Sequence, residues 1–222
     1  MHDKARRLRK ARSPKVDEQY AGRLPPGQVL TERFPILHEG EVPTYRLEDW
    51  SLHLDGALSA PLQLSYADLL ALPQRTLTCD IHCVTRWSKF DTRWRGVHLA
   101  DLLAHYGLRP EGGFVIAHAD PDAYGTNSSL ADLLRDHTPP ALGYDDQELT
   151  PQHGWPLRLV IGGRYFWKSA KWLRRLEFRQ QDSLGFWESN GFNNAADPFL
   201  EERFSGEALD IPEDEWLRKQ FD

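Results

Sequence analysis

At 222 residues, 40% of them hydrophobic and 11% aromatic, the chain has enough apolar material for one core of ordinary domain size. Twenty-seven Lys and Arg against 33 Asp and Glu leave a formal charge of -6, so the broad basic footprint of a nucleic-acid binder is missing and any anion must be gripped by a local cluster. The longest apolar runs fall far short of a membrane span.

Lys and Arg crowd the first 15 residues, and Arg6-Arg7 invites a twin-arginine export reading. The apolar run that should follow such a pair is missing, so residues 1–20 read as a solvated basic arm and residues 21–222 as a single domain. Two cysteines four apart, Cys79 and Cys83, do not make a disulfide framework, which points to a reducing, cytoplasmic setting.

From Gly22 to Pro43, prolines at 25, 26, 35 and 43 forbid a continuous helix. The stretch reads as an extended arm, with Val29, Leu30, Phe34, Ile36 and Leu37 to pack it down. Trp50 to Gly56 alternates as a strand ending in Asp-Gly. Ser65 is an N-cap for a helix over Tyr66–Leu72 that Pro73 stops. Thr76 to Cys83 is β-rich, so Cys83 sits where a strand runs out into a loop.

A second helix is expected over about His98–Tyr106 with Gly107 ending it, a strand over Phe114–His118, and a third helix over Ser129–Asp136. All three helices contain Ala-Asp-Leu-Leu, at 67–70, 100–103 and 131–134, yet the segments between do not repeat, which excludes a solenoid. Strands are expected over Leu157–Ile161 and Ala170–Phe178, with Gly162-Gly163 as a turn between them. The aromatic tail from Gly185 reads as a wrapping segment or a homodimer contact. The fold class is therefore α+β, strand-rich and mixed, with short crossover helices.

Two constellations carry chemistry. The first is Cys-Asp-Ile-His-Cys at 79–83, followed by Val-Thr-Arg-Trp-Ser. Covalent haem attachment needs the His after the second Cys, and a structural zinc needs four ligands with a second knuckle that is missing. Cys83, in the company of His82, Arg86 and Lys89, is the more reactive sulfur, whereas Cys79 reads as a packed thiol; a dithiol enzyme using both is an alternative. Soft metals prefer thiolate and phosphate prefers Arg and Lys, so this stretch suits a thiolate-ligated metal cofactor that carries phosphate.

The second is Gln152 to Leu173, where His153, Arg158, Arg164, Lys168 and Lys171 surround a strand and two Gly-bearing turns. Cations with free backbone donors make a phosphate site, and the interleaved aromatics (Trp155, Tyr165, Phe166, Trp167 and Trp172) argue against a merely solvated face. A cofactor-free binding module for a phosphorylated ligand would use the same cleft.

On these motifs the chain resembles the molybdopterin-binding domain of the sulfite oxidase family, in particular its small, stand-alone bacterial members without a haem domain. His82-Cys-Val-Thr-Arg-Trp-Ser88 is similar to the family's cysteine motif, and His153-Gly-x-Pro-x-Arg158 with Gly163 and Lys168-Ser-Ala-Lys171 to its pterin and phosphate motif, 70 positions on (153 minus 83). The resemblance implies a sulfite-oxidase-type fold and a molybdenum-molybdopterin cofactor. It implies oxygen-atom transfer to or from a small substrate, with a separate electron-transfer partner. It makes Cys83 the metal ligand, with Arg86 and Tyr124 beside it as catalytic side chains. His38, His153, Arg158, Arg164, Lys168, Ser169, Ala170 and Lys171 would bind the cofactor. Ile36 stands where sulfite oxidases carry an Arg, so sulfite would be held poorly.

Overall fold

The prolines of the arm leave room for only two residues of regular pairing, strand β1 (Val29–Leu30), which lies parallel against Trp87 and Ser88. The structure, a computed structural model, describes residues 20, 22–38, 40–120, 124–136 and 138–205. The basic arm expected at 1–20 therefore lies outside the described residues except for Tyr20, which packs edge-on against Phe90.

Strand β2 (Ser51–Gly56) buries Leu52 and Leu54 completely while its other side chains stay part-exposed, the period-2 pattern of a half-buried strand. β3 (Leu62–Ser65) runs straight into helix α1 (Tyr66–Ala71). There Ser65 Oγ accepts from the Asp68 amide at 3.1 Å and Asp68 accepts from the Ser65 amide at 2.8 Å, a reciprocal capping box. β4 (Arg75–His82) and β5 (Trp87–Gly96) form an antiparallel hairpin around the turn 83–86. Sequence reading missed β5 because its charges mask an inward row of Ser88, Thr92 and Trp94, all at most 1% exposed.

Helix α2 (Leu99–His105) starts on a His98 cap and ends before Gly107, whose φ of +64° is the left-handed stop that glycine supplies. β6 (Phe114–Ala119) and β7 (Gly125–Ser129) make the next hairpin, and helix α3 (Leu130–Leu133) is a single turn rather than the helix expected to Asp136. Its Asp132 carboxylate is drawn away to Arg135 and Arg164, and Pro139 and Pro140 follow. β8 (Pro140–Tyr144) and β9 (Gln147–Glu148) close over Asp145 and Asp146, both at positive φ. β10 (Arg158–Leu159) is shorter than the strand expected over 157–161, and β11 (Leu173–Arg179) is a strand as read. Helix α4 (Phe186–Ser189) opens the tail.

Among the described residues the strands form two mixed sheets, six strands in one (order β1-β5-β8-β10, with β4 on β5 and β9 on β8) and five in the other (β3-β2-β11-β6-β7). The larger core lies around β2, α1, α2 and β11, where Leu52, Leu69, Leu102, Leu173 and Leu176 are fully buried. Each such side chain contributes roughly 1.5–3 kcal/mol of hydrophobic stabilisation. A smaller cluster of Ile81, Trp94, Ala141, Leu149 and Val160 packs along β4, β5 and β8. The fold is strand-rich α+β, and among the described residues no helix is long and apolar enough to cross a membrane.

Candidate functional site

Cys83 is the first residue past β4. Its amide donates to Trp87 O at 2.8 Å and its carbonyl accepts from the Arg86 amide at 3.1 Å, so the turn closes on itself with Arg86 at φ +73°. The Cys83 side chain is buried and the Thr85 hydroxyl points at the sulfur from 3.2 Å. Burial pushes the thiol pKa up, while Thr85 and the positive charge of Arg203 pull the other way. Beside it His82 is buried, bonded through Nδ1 to Ser88 Oγ at 2.8 Å, and burial drops its pKa to about 4. His82 also bridges to Tyr165, which joins the sulfur hairpin to the loop that carries the cations.

That loop begins with a 3-10 turn at Pro151–His153 and a left-handed Gly154, passes a cis Trp155–Pro156 peptide, enters β10, and returns through a second 3-10 turn at Phe166–Lys168. Arg158 is 1% exposed. Its guanidinium donates to the carbonyls of His153 (2.9 Å) and Ser169 (3.0 Å) and lies over the Phe166 ring at 4.5 Å. Lys171 donates to Gln152 O at 2.6 Å and Leu37 O at 2.7 Å. Among the described residues neither cation has a carboxylate within ion-pair distance. Burial therefore lowers Arg158 to about 9, and burial with the nearby Arg158 charge lowers Lys171 to about 7; a charged Cys83 sulfur would favour the Lys171 ammonium. His153, lowered to about 4 mainly by burial, is a neutral ring at pH 7. Since a carbonyl only accepts, Nε2 donates to Phe34 O at 3.3 Å and Nδ1 accepts from Thr150 Oγ1 at 2.9 Å.

The expected set thus divides. Cys83, His153, Arg158 and Lys171 come together, with Ser169 supplying a carbonyl to Arg158 and its Oγ to the Ile161 amide at 2.9 Å, and Ala170 O accepting from Leu159. Arg164 and Lys168 are taken up elsewhere: Arg164 pairs with Asp132 at 3.1 Å and Lys168 with the fully buried Glu188 at 2.7 Å. His38 lies edge-on to Trp172 at 5.8 Å, next to Lys171. Tyr124 packs on Phe186 at 4.7 Å, and the hairpin it closes returns through Asp120 to Trp172 O. Arg86 is exposed, reaching toward Gly27 O at 3.5 Å. Sequence reading missed Arg203, a buried cation in the tail that donates to Val84 O at 2.8 Å; an Arg set between Phe199 and Phe204 in an aromatic stretch is the signal.

The donor chemistry suits a phosphate-bearing, thiolate-bound cofactor: a shielded sulfur, a buried and a part-buried cation unmatched by carboxylates among the described residues, and Gly154, where a Cβ would sit 3.0 Å from that of Arg158 and 3.1 Å from that of Lys171. The dithiol arrangement fits less well. Both cysteines are free, four strand residues span about 13 Å against the 4.4–6.8 Å of a disulfide, and burial holds Cys79 at about 11. Two surface clefts, of about 560 and 410 Å³, lie away from Cys83, one beside α2 and one along Glu177 and Gly185.

Residues 39–187 match the family described as "Oxidoreductase molybdopterin binding domain". The "Uncharacterized oxidoreductase YuiH" of Bacillus subtilis is 42% identical over 186 residues, covering 83% of this chain and 93% of its own. The mitochondrial sulfite oxidase of Drosophila melanogaster is 27% identical over 75% of this chain but only 34% of its own, so the chain spans about a third of that relative. The protein-methionine-sulfoxide reductase catalytic subunit MsrP of Campylobacter jejuni is 27% identical over 65% of this chain and 54% of its own. Among solved structures, the sulfane dehydrogenase SoxCD of Paracoccus pantotrophus superposes with a TM-score of 0.59 at 25% identity, over 65% of this chain and 41% of that one. Matched over more than half its length, with the two mixed sheets and the paired motifs in place, the chain belongs to the molybdopterin-binding oxidoreductases of the sulfite oxidase family and is a molybdopterin-dependent oxidoreductase.

Proposed function

We propose that Cys83 is the single protein ligand to molybdenum in a molybdenum-molybdopterin cofactor. The observation that carries this is a pair of carboxylate-free cations, buried Arg158 and part-buried Lys171, in a loop bridged to the sulfur hairpin through His82 and Tyr165. Buried cations are costly unless an anion compensates them, and the anionic end of such a cofactor is that anion. Bound here, the cofactor supplies two-electron redox chemistry coupled to moving an oxygen atom to or from a small substrate.

The chain's own residues do the rest. Cys83 gives one soft donor at a fixed place, and Thr85 hydrogen-bonds it. Lys171 and Arg158 hold negative charge, neutral His153 and the Ser169–Ala170 backbone frame that pocket, and His38 sits beside it against Trp172; Tyr124 is assigned to the substrate side. Arg86, exposed beside the turn, meets the incoming substrate. Ile36 is 41% exposed where an anion clamp would be needed, so sulfite is a poor candidate. The sulfoxide chemistry in the name of the Campylobacter relative makes sulfoxides and N-oxides the first substrates to screen. Two cysteines in 222 residues cannot hold a four-cysteine cluster, so electrons pass through a separate protein, and the unpaired thiols suit the cytoplasm.

The test is metal and pterin analysis of protein from a cofactor-competent host. Near-stoichiometric molybdenum is expected. Cys83→Ser should abolish turnover with most of the pterin retained, whereas Lys171→Met should lose the cofactor. Full metal and activity in both variants would overturn the assignment.

A further inference from the structure

The tail places one buried cation whose position packing alone does not account for. Arg203 is 6% exposed. Its Nη1 donates to Val84 O at 2.8 Å, its Nη2 reaches Pro26 O at 3.4 Å, and its guanidinium lies 4.7 Å from the centre of the Tyr165 ring. Among the described residues the nearest carboxylate, Glu201, is 3.9 Å away and 46% exposed, and Arg203 Nε has no hydrogen-bond partner. An apolar side chain would fill that volume without burying charge. What the guanidinium does that a hydrophobe cannot is bridge two segments: its planar fork spans a carbonyl of the arm and a carbonyl of the sulfur turn, which the single nitrogen of a lysine cannot do with the same geometry.

The bridged carbonyl is the one directly after Cys83. The carbonyl of Cys83 itself is held from the arm as well, by Gln28 Nε2 at 3.0 Å. Both peptide oxygens next to the sulfur are therefore fixed by groups outside the hairpin. The turn needs this, because it is four residues long at a hairpin tip and carries Arg86 at φ +73°, a conformation that non-glycine residues rarely hold unaided. Gly27 makes room for the assembly: a Cβ there would sit 2.8 Å from Arg86 Nη1 and 3.7 Å from Arg203 Nη2.

We propose that Arg203 is a positioning residue of the sulfur site, tying the 83–86 turn to the arm so that Cys83 holds one aim, and setting a positive charge beside the sulfur. Arg203 lies past residue 187, where the family match ends. The importance of the aim rests on Cys83 being the metal ligand; the brace itself does not.

The experiment compares full-length wild type, Arg203→Met and Arg203→Lys from a cofactor-competent host by amide hydrogen exchange and by the paramagnetic signal of the half-reduced metal. In Arg203→Met the Cys83 and Arg86 amides should exchange at least tenfold faster, while amides paired between Arg75–Thr78 and Arg93–Gly96 keep their rates. The metal signal should shift or split. Arg203→Lys, which keeps charge but not the fork, should show the faster exchange with a smaller change in signal. The brace is refuted by turn amides that keep wild-type rates, by faster exchange spread evenly through the β4–β5 hairpin, or by a Lys variant indistinguishable from Arg. If Arg203→Met does not fold, Arg203→Lys carries the same comparison. A signal that survives Cys83→Ser unchanged would sink the ligand assignment alone, since the exchange rates report on the turn whichever group binds there.

Discussion

Lys168 and Lys171 stand three residues apart in one motif and have opposite surroundings. Lys168 Nζ meets Glu188 at 2.7 Å and the Asn127 carbonyl and side-chain oxygens at 3.0 Å, and both charged side chains of the pair are at most 3% exposed. Lys171 hydrogen-bonds to two carbonyls and lies 5.7 Å from the centre of the Trp172 ring, with no carboxylate in ion-pair reach among the described residues. Removing one partner of a buried pair strands the other, so Lys168→Met should cost roughly 3–5 kcal/mol in chemical denaturation, and adding Glu188→Leu should recover much of the loss. Lys171→Met strands no carboxylate and removes a charge that its surroundings disfavour, so it should not lower the stability of the cofactor-free protein at neutral pH, while cofactor content drops at least tenfold. Nothing in Lys-Ser-Ala-Lys distinguishes the two lysines. The carboxylate that neutralises Lys168 sits 20 positions downstream (188 minus 168) in a tail legible only as aromatic, so a ring of cations could be read but not which were already spent.

The elements that were legible are those with local signals. Ser65 with Asp68, and His98 with Gly107, mark helix ends by hydrogen bonds formed within three or four residues or by a left-handed stop, and those helices came out within a residue or two. Strands β7 and β8 were not legible, because their inward faces are set by partners far away in sequence; Thr126 and Asn127 of β7 are buried beside Glu188 and Lys168. The turn at Gly154 shows how an element carries the site. With φ at +108° and Arg158 and Lys171 closing on it, Gly154 takes a left-handed conformation where a Cβ would be strained and tightly packed. Gly154→Ala should lower stability by about 1–2 kcal/mol from the left-handed penalty, read as a drop in melting temperature. It should also reduce cofactor content by pushing the two cations apart. An alanine variant with wild-type melting and full cofactor would show that the turn tolerates a Cβ and that the two cations need not meet across it.

Across the whole molecule, the arm, the sulfur hairpin, the cation loop and the tail converge from four stretches of sequence on one buried positive region, and this gives the protein a characteristic response to pH. Lys171 faces Arg158, His153 and Cys83 and the carbonyls of Leu37 and Gln152. Its folded value of about 7 lies below the ordinary 10.5, so between those values the unfolded chain holds a proton that the empty native protein has released. Stability of the cofactor-free protein should therefore rise with pH from about 7 upward and gain nothing from this group below 7, where both states are protonated. An anion bound beside Lys171 reverses the preference by keeping the proton on. Its affinity should be greatest below pH 7 and weaken above it by up to tenfold per pH unit, about 1.4 kcal/mol. The gap in melting temperature between cofactor-loaded and cofactor-free protein should accordingly be widest near pH 6 and narrow toward pH 9. Because Arg158 is buried and Lys171 largely shielded, 0.5 M salt should change that gap little. In Lys171→Met the pH dependence of cofactor-free stability should flatten between 7 and 9, and a variant that keeps the wild-type slope would assign the titration to another group.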